Sequence, residues 1–262
     1  MSYMEIEVND DIYIEEMFPA VSEQQSMVNG ITVGQAEKIL ETMVDYKEMR
    51  MMYACAIKEV RTKFDVLNTE YNIRYQRNPI NFITTRVKST HSILEKMNRI
   101  KNRFTLKDVA ECLNDIAGVR VICSYIDDIY RLAEALTAQD DIRLLEKKDY
   151  IQNPKPNGYR SLHLIVSVPV FFAEQRQELK VEVQIRTIAM DFWASLEHQI
   201  KYKKEIPDQA EIIARLKECA DTIAKTDANM MEIRQHMEEF EEEDPESSLL
   251  LEKVRRLDVP II

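Results

Sequence analysis

Glycine is scarce in this sequence: a chain of 262 residues holds only Gly30, Gly34, Gly118 and Gly158. Neither GxGxxG nor GxxxxGK[ST] can be written with them, which excludes the Rossmann fingerprint and the P-loop. A nucleotide bound here is therefore held by side chains rather than by a cradle of backbone N–H groups. Cysteine is limited to Cys55, Cys112, Cys123 and Cys219, with no CxxC pair to signal zinc or redox work. They read as reduced core fillers. Long apolar runs are missing too, since the longest, near Leu164–Ala173, is too short to span a bilayer and contains Pro169. The N-terminus is acidic, without the basic and apolar regions of a signal peptide. These absences predict a cytoplasmic protein with no membrane partner.

Basic residues are absent from residues 1–37, which carry eight acidic ones, and residues 236–262 hold nine acidic against three basic. The formal charge of −11 therefore belongs to the two ends, and residues 38–235 sum to +3. Averaged over the chain, such a charge argues against a protein that coats nucleic acid or anionic membrane. Residues 61–120 are locally different, with twelve Lys and Arg against six Asp and Glu. The 45% hydrophobic content is ample for a globular core.

Patterning divides the chain into an acidic, flexible arm (1–33), an N-terminal helical segment (34–78), a core (79–203), and a C-terminal helix with an acidic tail (204–262). In the helical segment Ile39, Met43, Tyr46, Tyr53, Ile57, Val60, Phe64 and Leu67 recur at threes and fours, predicting one or two long helices. Asn78-Pro79 ends the run. Strands are expected at Asn81–Ser89, Gly118–Ser124, Ile142–Glu146, Ser161–Val170 and Leu179–Arg186, the last two as an antiparallel pair. Helices are expected at Ser92–Lys101, Leu106–Asn114, Ile126–Ala138, Thr187–Lys203 and Asp208–Phe240, with a loop over Lys147–Tyr159. The fold class is α/β (α+β), with a mixed sheet and helical flanks. The last helix spaces Ile212, Leu216, Cys219, Ile223, Thr226, Met230, Ile233, Met237 and Phe240 alternately by four and three. Such a seam fits either a partner helix in an oligomer or the chain's own core.

Polar groups on strands point to chemistry. Arg86 and Lys88 share one strand face, and Lys96 and Arg99 share one helix face just after it. Four cations converging there would clamp a triphosphate. Asp115, just before a strand, is either a cap or a ligand. Glu182, Gln184 and Arg186 share one strand face opposite Val181, Val183 and Ile185. If Asp115 and Glu182 meet across the sheet, they form a two-carboxylate Mg²⁺ site suited to phosphoryl transfer. The segment Lys155-Pro156-Asn157-Gly158-Tyr159-Arg160-Ser161-Leu162-His163 offers a cation, an amide, an aromatic plane and an imidazole close together. Its Tyr159 can stack on a base while Lys155 and Arg160 reach phosphate. Read alone, the same segment is also an ordinary turn with a packed tyrosine.

Taken together, ITTRVKS (83–89), DIAGVRV (115–121), KDYIQNPKPNGYRSLH (148–163) and VEVQIRTIAMDFWASLEH (181–198) resemble the synthetase domain of the RelA/SpoT family. The chain length is similar to that of its small, single-domain members, the small alarmone synthetases (RelQ-like or RelP-like). The resemblance implies a nucleotidyltransferase-like synthetase fold with a mixed, largely antiparallel sheet and extra N- and C-terminal helices. It implies a GTP/GDP pyrophosphokinase of the stringent response, transferring pyrophosphate from ATP to the 3′-hydroxyl of GTP or GDP to give pppGpp or ppGpp and AMP. By position, Arg86 and Arg120 would sandwich adenine, and Lys88, Lys96 and Arg99 would hold the ATP phosphates. Asp115 and Glu182 would bind Mg²⁺, with Glu182 also orienting or deprotonating the 3′-hydroxyl. Tyr159 would stack on guanine, and Lys155, Asn157, His163, Gln184 and Lys148 would complete the acceptor site. A homotetramer, a pppGpp activator near Phe82 and Thr84, and single-stranded RNA as a partner are further implications. None of His91, His163, His198 and His236 is followed by Asp, so synthesis without the family's His-Asp hydrolase is expected. Two other readings stay open: a non-catalytic guanine-nucleotide or RNA sensor of the same fold, and a nucleotidyltransferase that releases pyrophosphate.

Overall fold

The structure, a computed structural model, describes residues 33–101, 103–201 and 209–242. The acidic arm, apart from residue 33, and the acidic tail beyond residue 242 lie outside the described residues. Helix α1 (Val33–Tyr75) is a single helix of 43 residues. Its buried stripe, Thr42, Tyr46, Met49, Tyr53, Ala56, Val60, Phe64 and Leu67, advances by threes and fours, as a helix lying on one surface requires. Met43, expected in that stripe, is 42% exposed, and Leu40, Val44 and Met51 face solvent with it.

Strand β1 (Ile80–Val87) follows, then α2 (Thr90–Asn98), α3 (Leu106–Cys112), β2 (Ala117–Cys123) and α4 (Ile126–Thr137). Strands β3 (Arg143–Asp149), β4 (Leu162–Phe171) and β5 (Arg176–Thr187) precede α5 (Ile188–Lys201) and α6 (Gln209–Glu242). The sheet order is β1-β2-β5-β4-β3, with only β2 and β5 parallel. Valine, leucine and isoleucine fill alternate positions of β2, β4 and β5, and the period of two sends all but Ile122 and Ile165 to one face. There Val119, Val121, Val181, Val183, Ile185, Leu164 and Val166 join the buried stripe of α1 and Ile129, Leu132 and Leu136 of α4 in one core. The opposite face keeps the polar residues of the same strands.

Helix α6 does not bury the expected seam. Leu216 and Ile223 pack with Ala220, Trp193 and Ala194, whereas Met230, Ile233 and Met237 are 50–61% exposed and Cys219 is also exposed. The buried line runs instead through Ala220 and Asp227. A straight helix advances 3.6 residues per turn, so a strict 3.5-residue repeat drifts off any one flat neighbour. The side chain of Phe240 lies outside the described residues.

Asp227 has a local duty. Thr187 caps α5 by accepting from the Met190 N–H at 3.1 Å, and its hydroxyl donates to Asp227 Oδ2 at 2.5 Å. Burial raises the Asp227 carboxyl pKa above its ordinary value, and the Thr187 hydrogen bond only partly opposes this. A carboxyl whose folded pKa is raised is penalised when ionised, so its contribution is best below the unfolded value and is lost as pH rises. Asp227→Asn keeps an acceptor for Thr187 without the charge. Its Tm at neutral pH is expected to equal or exceed that of the parent, with the difference shrinking in acid; thermal melts across pH check this.

Candidate active site

The polar face of the sheet is organised in rows across the strands. Arg86 on β1 lies opposite Gly118 on β2, and Gly118 opposite Glu182 on β5. One row along, Thr84, Arg120, Gln184, His163 and Lys148 align across all five strands. The absence of a side chain at Gly118 leaves a cleft of about 210 Å³ whose lining includes Thr84, Arg86, Gly118, Arg120, Glu182 and Gln184. Register alone thus brings together residues separated by a hundred positions in the chain.

At one end sits Asp115, just before β2. Its Oδ2 takes the Lys88 ammonium at 2.8 Å and the Lys96 ammonium at 3.0 Å. Burial works to raise the Asp115 carboxyl, but the two lysines overcome it and hold the pKa below the ordinary value. Asp115 Oδ1 is buried with no hydrogen-bond partner, an acceptor left for another group. Glu182 is likewise desolvated, yet its pKa is lowered, because His163 and Gln184 outweigh burial and the repulsion from Asp115. Gln184 Nε2 donates to Glu182 Oε2 at 3.0 Å, and His163 Nδ1 faces Oε1 at 3.4 Å.

Two carboxylates that sense one another, one with an open oxygen, fit a cation that completes its shell with substrate phosphates. They do not make an all-protein cage: among the described residues no cluster of three or more His, Cys, Asp or Glu could hold a metal.

The other end is aromatic. Loop 150–161 brings Tyr159 against His163, with Oη to Nε2 at 2.8 Å. Lys155 Nζ lies 4.5 Å from the Tyr150 ring centre and 4.7 Å from that of Tyr159, and Tyr150 meets His163 edge-on. The loop is braced from α6. Gly158 adopts φ +90°, and a Cβ there would come within 2.5 Å of Ala220 Cβ. Arg160 donates to Asp221 at 2.9 Å and to the Ala220 carbonyl at 3.3 Å. Asn157 Nδ2 donates to Glu197 at 2.9 Å while its Oδ1 accepts from the Tyr159 N–H, so it shapes the loop from within.

Of the four cations expected to converge, Lys88 and Lys96 do so on Asp115, and Arg86 lines the cleft. Arg99 is 73% exposed and pairs with Glu95 one turn back on the same helix. Lys148 is in register with His163, but its ammonium bonds Glu146 at 2.9 Å. Thr84 lines the same cleft as Arg86, and Phe82 lies one row further out, 43% exposed. Sequence reasoning gave no role to Tyr150, Asp191 or Glu197, and none to Arg186 beyond its strand face. Tyr150 was visible as the aromatic that opens the loop; Asp191 and Glu197 carry no signal until α5 is placed beside β5.

A mixed sheet with one polar face, a pair of coupled carboxylates, a lysine-rich end and an aromatic end defines an enzyme-type cleft for phosphorylated substrates. The family profile described as "Region found in RelA / SpoT proteins" matches residues 85–207. The chain is 42% identical over 208 residues to GTP pyrophosphokinase YwaC of Bacillus subtilis, covering 79% of this chain and 99% of that protein. It is 38% identical over 189 residues to GTP pyrophosphokinase YjbM of the same organism, covering 71% and 87%. The crystal structure of small alarmone synthetase 1 from Bacillus subtilis bound to its product pppGpp superposes with a TM-score of 0.67 at 36% identity, covering 74% of this chain and 98% of that one. The chain belongs to the RelA/SpoT family and, within it, to the small alarmone synthetases.

Proposed function

We propose that the protein is a GTP/GDP pyrophosphokinase, moving the β,γ-pyrophosphate of ATP to the 3′-hydroxyl of GTP or GDP. The 3′ oxygen forms a bond to the β-phosphorus, the bond from that phosphorus to the α,β-bridging oxygen breaks, and AMP leaves with the electron pair. The observation that carries this reading is the pair Asp115 and Glu182 between a cationic end and an aromatic end. In-line transfer between two nucleotides needs both pockets to open on one pair of carboxylates.

Arg86 and Arg120 flank the cleft where adenine would lie, and Lys88 and Lys96, now on Asp115, would turn to phosphate oxygens. Arg99 would have to leave Glu95 to join them. Tyr159 offers its ring to guanine, bordered by Lys155, with Asn157 setting the loop and Lys148 at the outer rim. His163 and Gln184 hold Glu182 ionised, so that its carboxylate can take the 3′-hydroxyl proton. Asp115 and Glu182 would hold Mg²⁺, which when bound spreads the charge that builds on the phosphate oxygens.

The exposed apolar side chains of α1 (Leu40, Met43, Val44, Met51) and α6 (Met230, Ile233, Met237) support assembly into a homo-oligomer, a tetramer by the family pattern. Thr84 shares the catalytic cleft, which leaves Phe82 as the contact offered to a pppGpp activator. Single-stranded RNA gains no support from a formal charge of −11. No described helix is long and apolar enough to cross a membrane. Incubation with ATP, Mg²⁺ and GDP or GTP is expected to release AMP and form a 3′-pyrophosphorylated guanine nucleotide, and chelation of the metal to stop it. Release of pyrophosphate in place of AMP would make the protein a nucleotidyltransferase; no product with any guanine acceptor would make it a sensor.

A further inference from the structure

Arg186 has no nucleotide to touch in the reaction as proposed, yet its side chain is only 4% exposed and spends its donors on four neighbours. Nε donates to Ser161 Oγ at 3.2 Å and Nη1 to Asp191 Oδ1 at 3.1 Å. Nη2 reaches Gln184 Oε1 at 3.0 Å and Tyr159 Oη at 2.5 Å. Its Cζ also lies 5.1 Å from the centre of the Tyr159 ring. A buried guanidinium is costly unless its charge and donors are met, and the one carboxylate it contacts, Asp191, also takes Arg120 at 3.4 Å. An apolar side chain would stabilise such a spot more simply. What only a planar fork supplies here is direction.

We infer that Arg186 is the positioning residue for the guanine acceptor, fixing the Tyr159 ring and, through its hydroxyl, the face that His163 turns to Glu182. The inference rests on Tyr159 being the platform for the guanine base. The Tyr159 oxygen accepts from Arg186 and lies 2.8 Å from His163 Nε2. The same imidazole presents Nδ1 to Glu182 Oε1 at 3.4 Å, so one chain of contacts runs from Arg186 to the carboxylate. Two cations lie against the Tyr159 ring, the buried Arg186 at 5.1 Å and the exposed Lys155 at 4.7 Å from its centre, and the buried one is the fixed support. Lysine at this position would keep the charge and lose the fork.

Steady-state kinetics separate this role from a general structural one. Arg186→Lys is expected to raise KM for GDP about tenfold, about 1.4 kcal/mol, while KM for ATP and the Tm stay close to the parent values. Ser161→Ala, which removes one partner of the fork and leaves the strand intact, is expected to move KM for GDP in the same direction by about threefold. Equal rises in both KM values, or an unchanged KM for GDP in Arg186→Lys, overturn the inference. If Arg186→Lys does not fold, Ser161→Ala decides by the same split. Tyr159→Ala tests the underlying reading separately: if it leaves KM for GDP unchanged, the platform is wrong; if it raises KM and Arg186→Lys does not, only the positioning role falls.

Discussion

Replacing Glu182 by Gln is expected to lower turnover at least about 10²-fold while changing KM for ATP much less. The substitution keeps the size of the side chain and an oxygen able to accept from Gln184, so the strand face is little disturbed. What it removes is charge. The Glu182 carboxylate is desolvated and repelled by Asp115, and remains ionised because His163 and Gln184 stabilise the anion. A pKa held below the ordinary value means that the surroundings favour the anion, so the charge persists at neutral pH. That charge suits proton removal from a hydroxyl whose own pKa lies far above neutrality, and the binding of a cation on the substrate phosphates. Initial rates of AMP release at saturating ATP and GDP measure the effect. A rate within about threefold of the parent would show that neither role belongs to Glu182.

Much of this arrangement is legible in the sequence. Period-two alternation placed Glu182, Gln184 and Arg186 on one face of β5, and pairing β5 with β2 and β4 turned that alternation into rows shared with Gly118, Arg120 and His163. Element boundaries follow local signals strongly, as at the capping threonine Thr187, so the expected helices and strands differ from the observed ones by a few residues. What depended on long-range placement was not legible. Arg99 shares a helix face with Lys96, but it sits at the end of α2 and finds Glu95 before it can reach Asp115. The seam of α6 looks continuous because heptad spacing says nothing of what the helix rests on; it is the stretch Leu216–Ile223 that finds Trp193, Ala194 and the Gly158 turn. Tyr150, Asp191 and Glu197 act through neighbours brought by the fold, and sequence spacing cannot rank such residues above any other tyrosine or acid.

Gly118→Val is expected to separate folding from function most cleanly. Gly118 occupies the middle of the sheet between Arg86 and Glu182, and its backbone is not in the left-handed region that demands glycine. A Cβ there would meet Arg86 Cγ at 3.5 Å, an ordinary contact. Neither conformation nor packing therefore requires the missing side chain. Glycine inside a strand costs roughly 0.5–1 kcal/mol, and valine is favoured there, so the variant should melt at the parent's temperature or above it. Its two methyl groups would nevertheless stand in the cleft of about 210 Å³, on the line between the proposed adenine clamp and the proposed base. Displacing reacting atoms by about 1 Å can cost on the order of 10²-fold, and that fall in kcat/KM is expected here, with Gly118→Ala lying between. Opposite movements of Tm and activity are the signature, read by thermal melts and product formation on the same preparations. A drop in both would make Gly118 a packing residue, and parent-like activity in the valine variant would place the reaction elsewhere on the sheet.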